Sequence, residues 1–259
     1  MNATRGGHKA GQKVLGSFIS TSDWKSILSD ICSWASTRES RYICTCNVHS
    51  VVTARMDAAF KDVINSADMA LPDGMPVVWL MRRDGFKGQQ RISGPDLMWR
   101  LCEQALERGL PIFFLGNTEK VLGLLTQRLS TKFPELKIAG IYSPPFGTFS
   151  AQENEKIAAM INGSGANIVF VSLGCPKQEF WIAEQRGRIN AVMIGVGAAF
   201  DFIAGTVKRA PLWMQRSGLE WFYRLISEPR RLWKRYLVTN TLFIFYVLKD
   251  ILSLRRVSD

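Results

Sequence analysis

Apolar residues along this chain fall into two rhythms that trade places. Residues 24–36 carry Trp24, Ile27, Leu28, Ile31 and Trp34 at helical intervals. Residues 42–48 follow as a compact strand-like run, and residues 51–67 return to helical spacing through Val52, Met56, Phe60, Val63 and Ile64. A short strand at 69–71 ends in Pro72-Asp73-Gly74. Residues 75–81 then begin a helix with Pro76 in its first turn. The alternation continues with a helix ending at Arg108 and closed by Gly109, then strands at 111–115, 137–142, 166–173 and 191–196. Helices at 121–133, 153–162 and 180–188 separate them. The strands at 111–115 and 166–173 are almost continuously apolar, broken only by Asn167 and Ser172, as expected when both faces of a sheet are covered. Such alternation predicts an α/β fold, a doubly wound, Rossmann-like domain with a mostly parallel sheet.

The pattern sets boundaries. Residues 1–20 open polar and basic, without the apolar core of a secretory signal, and are expected to be a flexible N-terminus. The α/β domain covers residues 21–204. Residues 205–259 are helical in pattern and rich in Trp, Tyr, Phe and Arg, a C-terminal helical appendage. Its most apolar window, 236–252, is broken by Thr239, Asn240, Thr241, Lys249 and Asp250. A membrane span needs about 20 mostly apolar residues, so no transmembrane helix is expected.

Charge sharpens this division. The chain of 259 residues carries a formal +11, which favours anionic partners. Residues 205–259 hold eleven Lys/Arg against four acids, most of that excess. Arginines interleaved with Trp, Leu and Phe suit an anionic membrane surface, and the apolar stretch 242–252 favours lipid over nucleic acid. The five cysteines are odd in number and mostly lie in apolar patterns, as for reduced thiols in a cytosolic setting. Cys44 and Cys46 share a strand face, but no Cys/His partner motif follows, so no metal site is expected.

Candidate chemistry gathers where strands end. Thr45 and Asn47 close the first strand of the α/β domain, and Asp73 sits in the turn after the next. Polar residues at strand carboxyl ends meet at one rim of a parallel sheet, where ligands bind. A carboxylate there can take a proton from a sugar hydroxyl. Gly174-Cys175-Pro176-Lys177-Gln178-Glu179 opens a helix after a buried strand. Helix-start N–H groups suit phosphate, Lys177 adds charge, and Gln178 can pair with a base or sugar. Gly195-Val196-Gly197 lacks the full dinucleotide spacing and suits close approach of a nucleotide to the backbone. There is no Asp-x-Asp triplet to hold a metal on a nucleotide diphosphate, so arginines would neutralise the leaving phosphate.

Taken in order, these motifs resemble the WecG/TagA/CpsF family of bacterial glycosyltransferases over residues 42–236. The carrying residues are Thr45-x-Asn47, Pro72-Asp73-Gly74, Arg91-x-Ser93-Gly94, Phe114-Leu115-Gly116 and Gly174-x-Pro176-Lys177-Gln178-Glu179. The stretch from Gly195-x-Gly197 to Phe202, Arg209-Ala210-Pro211, and Gly218-Leu219-Glu220-Trp221 to Arg224-Leu225 complete the set. The resemblance implies an inverting, metal-independent enzyme with no cofactor. It would move a sugar from a UDP-sugar onto a saccharide linked to undecaprenyl diphosphate, in cell-surface glycan synthesis. Asp73 maps to the general base and Thr45 to a residue that assists it. Arg224, Arg230, Arg231 and Arg235 become candidates for the diphosphate, with Arg224 best matched. Arg91, Ser93, Gly116, Asn117, Lys177, Gln178, Glu179, Gly195, Gly197, Asp201 and Arg209 are expected around the substrates, beside Asn47. The tail implies peripheral attachment to the cytoplasmic face of the inner membrane. Asn47-Val48-His49 departs from the family's usual Asn-Pro, which leaves the role of His49 open.

Two other functions stay in view: a nucleic-acid-binding protein using the basic tail, and a nucleotide-dependent oxidoreductase. Neither accounts for both Pro72-Asp73-Gly74 and the tail. The transferred sugar, the linkage and the oligomeric state, a homo-oligomer included, stay open.

Overall fold

A computed structural model describes residues 10–145 and 147–255, with side chains through residue 252. The first described element is a hairpin, β1 (Gly11–Val14) and β2 (Ser17–Ser20). Leu15 and Gly16 join the strands with φ of 50° and 86°, the two positive angles a tight hairpin turn requires. This corrects the expectation of a flexible start from Gly11 onward; residues 1–9 lie outside the described residues. The hairpin is anchored through fully buried Ile19, and Ser20 Oγ accepts from the Ala70 N–H at 3.1 Å. It lies along the edge strand of the main sheet and shields an edge that would otherwise be open to pairing.

The main body runs α1 (Trp24–Ser36), β3 (Arg41–Cys46), α2 (Val48–Met56), α3 (Ala58–Ser66), β4 (Met69–Pro72), α4 (Met75–Arg83) and α5 (Gly94–Arg108). It continues with β5 (Ile112–Gly116), α6 (Glu119–Lys132), β6 (Ile138–Tyr142), α7 (Ala151–Ser164), β7 (Ile168–Ser172), α8 (Lys177–Glu184), β8 (Val192–Gly195) and α9 (Ala199–Ala204). The single helix expected at 51–67 is two. Asp57 is extended, and its carboxylate accepts from the Phe60 N–H at 3.1 Å, so one residue ends α2 and caps α3. The stretch after Gly197, given no element by the sequence, holds the short helix α9.

Six strands pair in the order β4-β3-β8-β7-β5-β6, every neighbour parallel. Alternate strand residues face opposite layers. Phe114, Phe170 and Ile194 pack with α1, α5, α6 and α9, where Phe114 stacks on Phe170 and meets Phe200 edge-on. Phe113, Val169 and Met193 pack with α2, α3, α7 and α8. Both faces are therefore covered, as the almost continuously apolar strands require. After β3 the chain enters the second layer as α2; after its neighbour β8 it enters the first as α9. A crevice opens between the two departures, at the carboxyl ends of the strands.

The remaining helices are α10 (Leu212–Arg216), α11 (Glu220–Ser227) and α12 (Pro229–Arg255). They are stitched to the α/β body. Leu242, Phe243, Tyr246 and Val247 of α12 pack against the α2 layer, and Arg55 pairs with Asp250 at 3.2 Å. Arg209 grips Asp96, with Nη1 at 2.6 Å. Among the described residues no helix is long and apolar enough to cross a membrane.

Candidate active site

One cavity of about 730 Å³ occupies the crevice. The strand ends form its floor and α11–α12 its roof. Thr45 and Asn47 come from the end of β3, and Asp73 from the turn after β4. The two turns are tied: the Asp73 N–H donates to Cys46 O at 2.9 Å, and the Ile92 N–H to Pro72 O at 2.9 Å. Gly74 packs closely on Asn47: a Cβ there would make ordinary contact with the Asn47 Cβ at 3.4 Å. Asn47 caps α2, its Oδ1 accepting from Ser50 N, and it also hydrogen-bonds the Asp73 carboxyl. Thr45 Oγ1 donates to Gly195 O at 2.8 Å, which locks β3 to β8 and leaves the hydroxyl only its lone pairs to offer a ligand.

Asp73 is the carboxyl on the floor. Its side chain is one-fifth exposed and lines the cavity. Burial pushes its pKa above the usual aspartate value. Arg91 opposes that rise, Glu220 adds to it, and the Asn47 hydrogen bond and Arg209 oppose it. Arg91 donates from Nε to the Asp73 carbonyl and holds Glu220 Oε2 at 2.5 Å, with the Asp73 carboxylate farther off at 3.7 Å. Two candidates stand behind the wall. Ser93 caps α5 and accepts from Arg209 Nη2 at 3.0 Å, and Arg209 spends its remaining Nη contacts on Asp96. Both brace the site rather than line it.

The turn before α8 forms the next wall. Gln178 is buried; its amide Nε2 donates to Glu179 Oε1 at 2.9 Å and its Oε1 accepts from the Gly197 N–H at 3.2 Å. The Gln178 N–H donates to Gly174 O and the Glu179 N–H to its own carboxyl, so neither is offered to a phosphate. The Glu179 carboxyl is buried on the cavity wall. Burial raises its pKa to about 7, against hydrogen bonds from Gln178, its own backbone and Cys175, and the charge of Arg235. His49, left open by the sequence, also lines the cavity; burial, then the Arg235 charge, lowers its pKa to about 4, so it is neutral at pH 7. Lys177 bonds the Gly147 carbonyl and sits 4.0 Å from the Phe149 ring, holding these two residues beside the cavity.

Across the floor, Asn117 takes φ of 62° and donates from Nδ2 to Asp201 at 3.0 Å; both face the cavity. Gly197 faces it too. Gly116 and Gly195 do not. At Gly116, with φ of 111°, a Cβ would lie 2.3 Å from Ser172 O, and at Gly195 it would lie 3.0 Å from Gln178 Nε2. These glycines let strands and side chains close ranks beneath the site. In the roof, Arg224, Arg231 and Arg235 line the cavity with Trp221, Tyr236 and Asn240. The Nε atoms of Arg224 and Arg235 are buried with no hydrogen-bond partner. Arg231 bonds Glu228 at 2.6 Å, and Arg230 is exposed, away from the cavity wall. Glu220, Trp79 and Tyr236 were not singled out as site residues, yet all three reach the cavity. Among the described residues, no three His, Cys, Asp or Glu side chains cluster to hold a metal ion.

The buried carboxyl makes stability depend on pH. An ordinary glutamate titrates at 4.5 and folded Glu179 at about 7, so the folded chain holds this proton more tightly than the unfolded chain. Its contribution to stability therefore falls as pH rises from about 4.5 to about 7 and is constant above. His49 runs the other way, losing stability as pH falls from 6.5 towards 4. Glu179→Gln keeps the oxygen that Gln178 needs. In denaturant unfolding it is expected to match the parent chain at pH 4 and to exceed it at pH 8 by a few kcal/mol.

The model of the glycosyl transferase WecG/TagA/CpsF family matches residues 12–257. The chain is 39% identical over 196 residues to the N-acetylglucosaminyldiphosphoundecaprenol N-acetyl-beta-D-mannosaminyltransferase of Bacillus subtilis strain 168, covering 75% of this chain and 74% of that protein. It is 37% identical over 197 residues to the enzyme of the same name from Bacillus spizizenii, covering 76% and 74%. The chain belongs to the WecG/TagA/CpsF family and is a glycosyltransferase.

Proposed function

We propose that this glycosyltransferase moves a sugar from a UDP-sugar onto a saccharide carried on undecaprenyl diphosphate, with inversion and without a metal ion. The relatives' names specify an acceptor of that kind. The observation that carries the reading is the meeting, in one cavity, of the Asp73 carboxyl with two roof guanidiniums whose buried Nε atoms lack partners. Buried donors without partners are costly, and a ligand that supplies acceptors would offset that cost. A diphosphate supplies them, and guanidinium forks match its oxygens.

The step follows from these parts. Asp73 accepts the proton of the acceptor hydroxyl as that oxygen bonds to the anomeric carbon. The bond from that carbon to the diphosphate oxygen breaks, and UDP leaves with the electron pair. One displacement from the opposite face inverts the centre. Arg224 and Arg235 neutralise charge growing on the leaving oxygen, the part a divalent metal plays in other transferases. Thr45 and Asn47 hold the strand end and the Asp73 carboxyl in place. Asn117, Asp201, Lys177, Gln178 and Glu179 offer polar atoms to the nucleotide and sugar, with the Gly197 backbone close by.

The C-terminal helices α10–α12 also carry exposed apolar side chains. Leu212, Trp213, Trp233 and Leu237 are about half exposed or more, among basic side chains. That mixture supports peripheral binding to an anionic bilayer, which would present a lipid-linked acceptor at the cavity mouth.

Two outcomes are expected. Asp73→Asn lowers turnover about 10²–10⁴-fold with an unchanged melting temperature, measured with a UDP-sugar panel and a short-chain lipid diphosphate acceptor. Near-normal turnover excludes Asp73 as base. Leu212→Glu with Trp213→Glu, both at exposed positions, weakens pelleting with anionic vesicles about tenfold or more while the fold melts as before. Unchanged pelleting excludes this face as the anchor.

A further inference from the structure

Asp73 shares its nearest cation with a carboxylate from the C-terminal helices. Arg91 is fixed beside Asp73 by its Nε bond to the Asp73 carbonyl. Its Nη2 lies 2.5 Å from Glu220 Oε2 but 3.7 Å from Asp73 Oδ1. Only the nearer contact is a hydrogen bond. Arg209 cannot replace it: its Nη atoms are on Asp96, and its Nε stands 3.8 Å from Glu220. The Arg91, Asp73 and Glu220 side chains are only 17%, 20% and 13% exposed, so water screens these charges weakly.

We infer that Glu220 is a positioning residue for the reaction: by taking the Arg91 hydrogen bond, it holds Arg91 to a looser 3.7 Å ion pair with the Asp73 carboxylate, which stays able to receive the acceptor's proton. The inference rests on Asp73 being the base. Glu220 opens α11, so the base is fully set only when the C-terminal helices are seated on the α/β body. Without Glu220, the anchored Arg91 needs to turn only its outer edge to pair with Asp73. An aspartate paired with arginine is a weaker base.

The groups facing Asp73 are few. The ionisable ones are Arg91 from the segment before α5, Arg209 from the segment before α10, Glu220 from α11 and the Cys46 thiol from β3; Asn47 is a neutral hydrogen-bond partner. Of these, Glu220 supplies the negative charge beside Arg91. Replacing it both frees Arg91 and removes a repulsion, and both changes favour the ionised form of Asp73.

The test is a ¹³C-carboxyl NMR titration of the full chain, with the Asp73 signal assigned by its loss in Asp73→Asn. In Glu220→Gln the Asp73 midpoint is expected to fall by about one pH unit. The acid limb of kcat/KM should move down by the same amount, with plateau kcat about threefold lower. Glu220→Asp, one methylene shorter, should give a smaller shift in the same direction, and it serves as the reporter if Glu220→Gln does not fold. A midpoint that stays put or rises overturns the inference even if activity drops, because a purely structural Glu220 would cost activity without moving the titration. Full turnover by Asp73→Asn would instead remove the base assignment itself.

Discussion

The contact between Arg91 and Glu220 joins the two parts of the molecule across the candidate active site. Arg91 belongs to the floor, next to Asp73; Glu220 belongs to the roof. A buried ion pair of this kind adds little net stability, because desolvation offsets attraction. Its value lies in specificity of arrangement. It fixes α11 over the strand ends and, with the Arg209–Asp96 pair, brings Arg224 and Arg235 to face the floor. Were the roof loose, the crevice would be an open shelf and the arginines would point into water.

The roof has two unlike faces, and each explains the other. Inward, guanidiniums and Trp221 meet the cavity. Outward, large apolar side chains stand exposed among basic ones. A long helix with this surface need not cross a bilayer to be held by one. The proposed acceptor has the same division, a lipid tail attached to a charged diphosphate. A roof that rests on lipid and closes on phosphate would bring both ends of such a substrate to Asp73.

Much of this was legible in the sequence. Uninterrupted runs such as Phe113–Leu115 and Ile168–Val171 could only be covered parallel strands, and that fixed where Thr45, Asn47 and Asp73 would gather. What escaped has physical reasons. The hairpin at Gly11–Ser20 alternates over only four residues per strand, too short for a period to show. Asp57 sits among helix formers, and its double duty as end and cap has no signature beyond one acidic side chain. Glu220 was visible only as part of a tail motif, because its partner Arg91 lies 129 residues earlier and long-range ion pairs leave no local pattern. For the same reason Arg209 was expected around the substrates, whereas its Nη atoms bond Asp96 and Ser93, and Arg230 could not be told from Arg231 by composition.

The central claim is that roof arginines and strand-end floor form a single binding site for a nucleotide diphosphate. Calorimetric titration of the intact chain with UDP and with uridine addresses it, repeated for Arg224→Ala and Arg235→Ala. UDP should bind about tenfold or more tightly than uridine, each substitution should erase most of that difference, and uridine binding should hardly change. Equal affinity for the two ligands, or UDP binding indifferent to both substitutions, would contradict it.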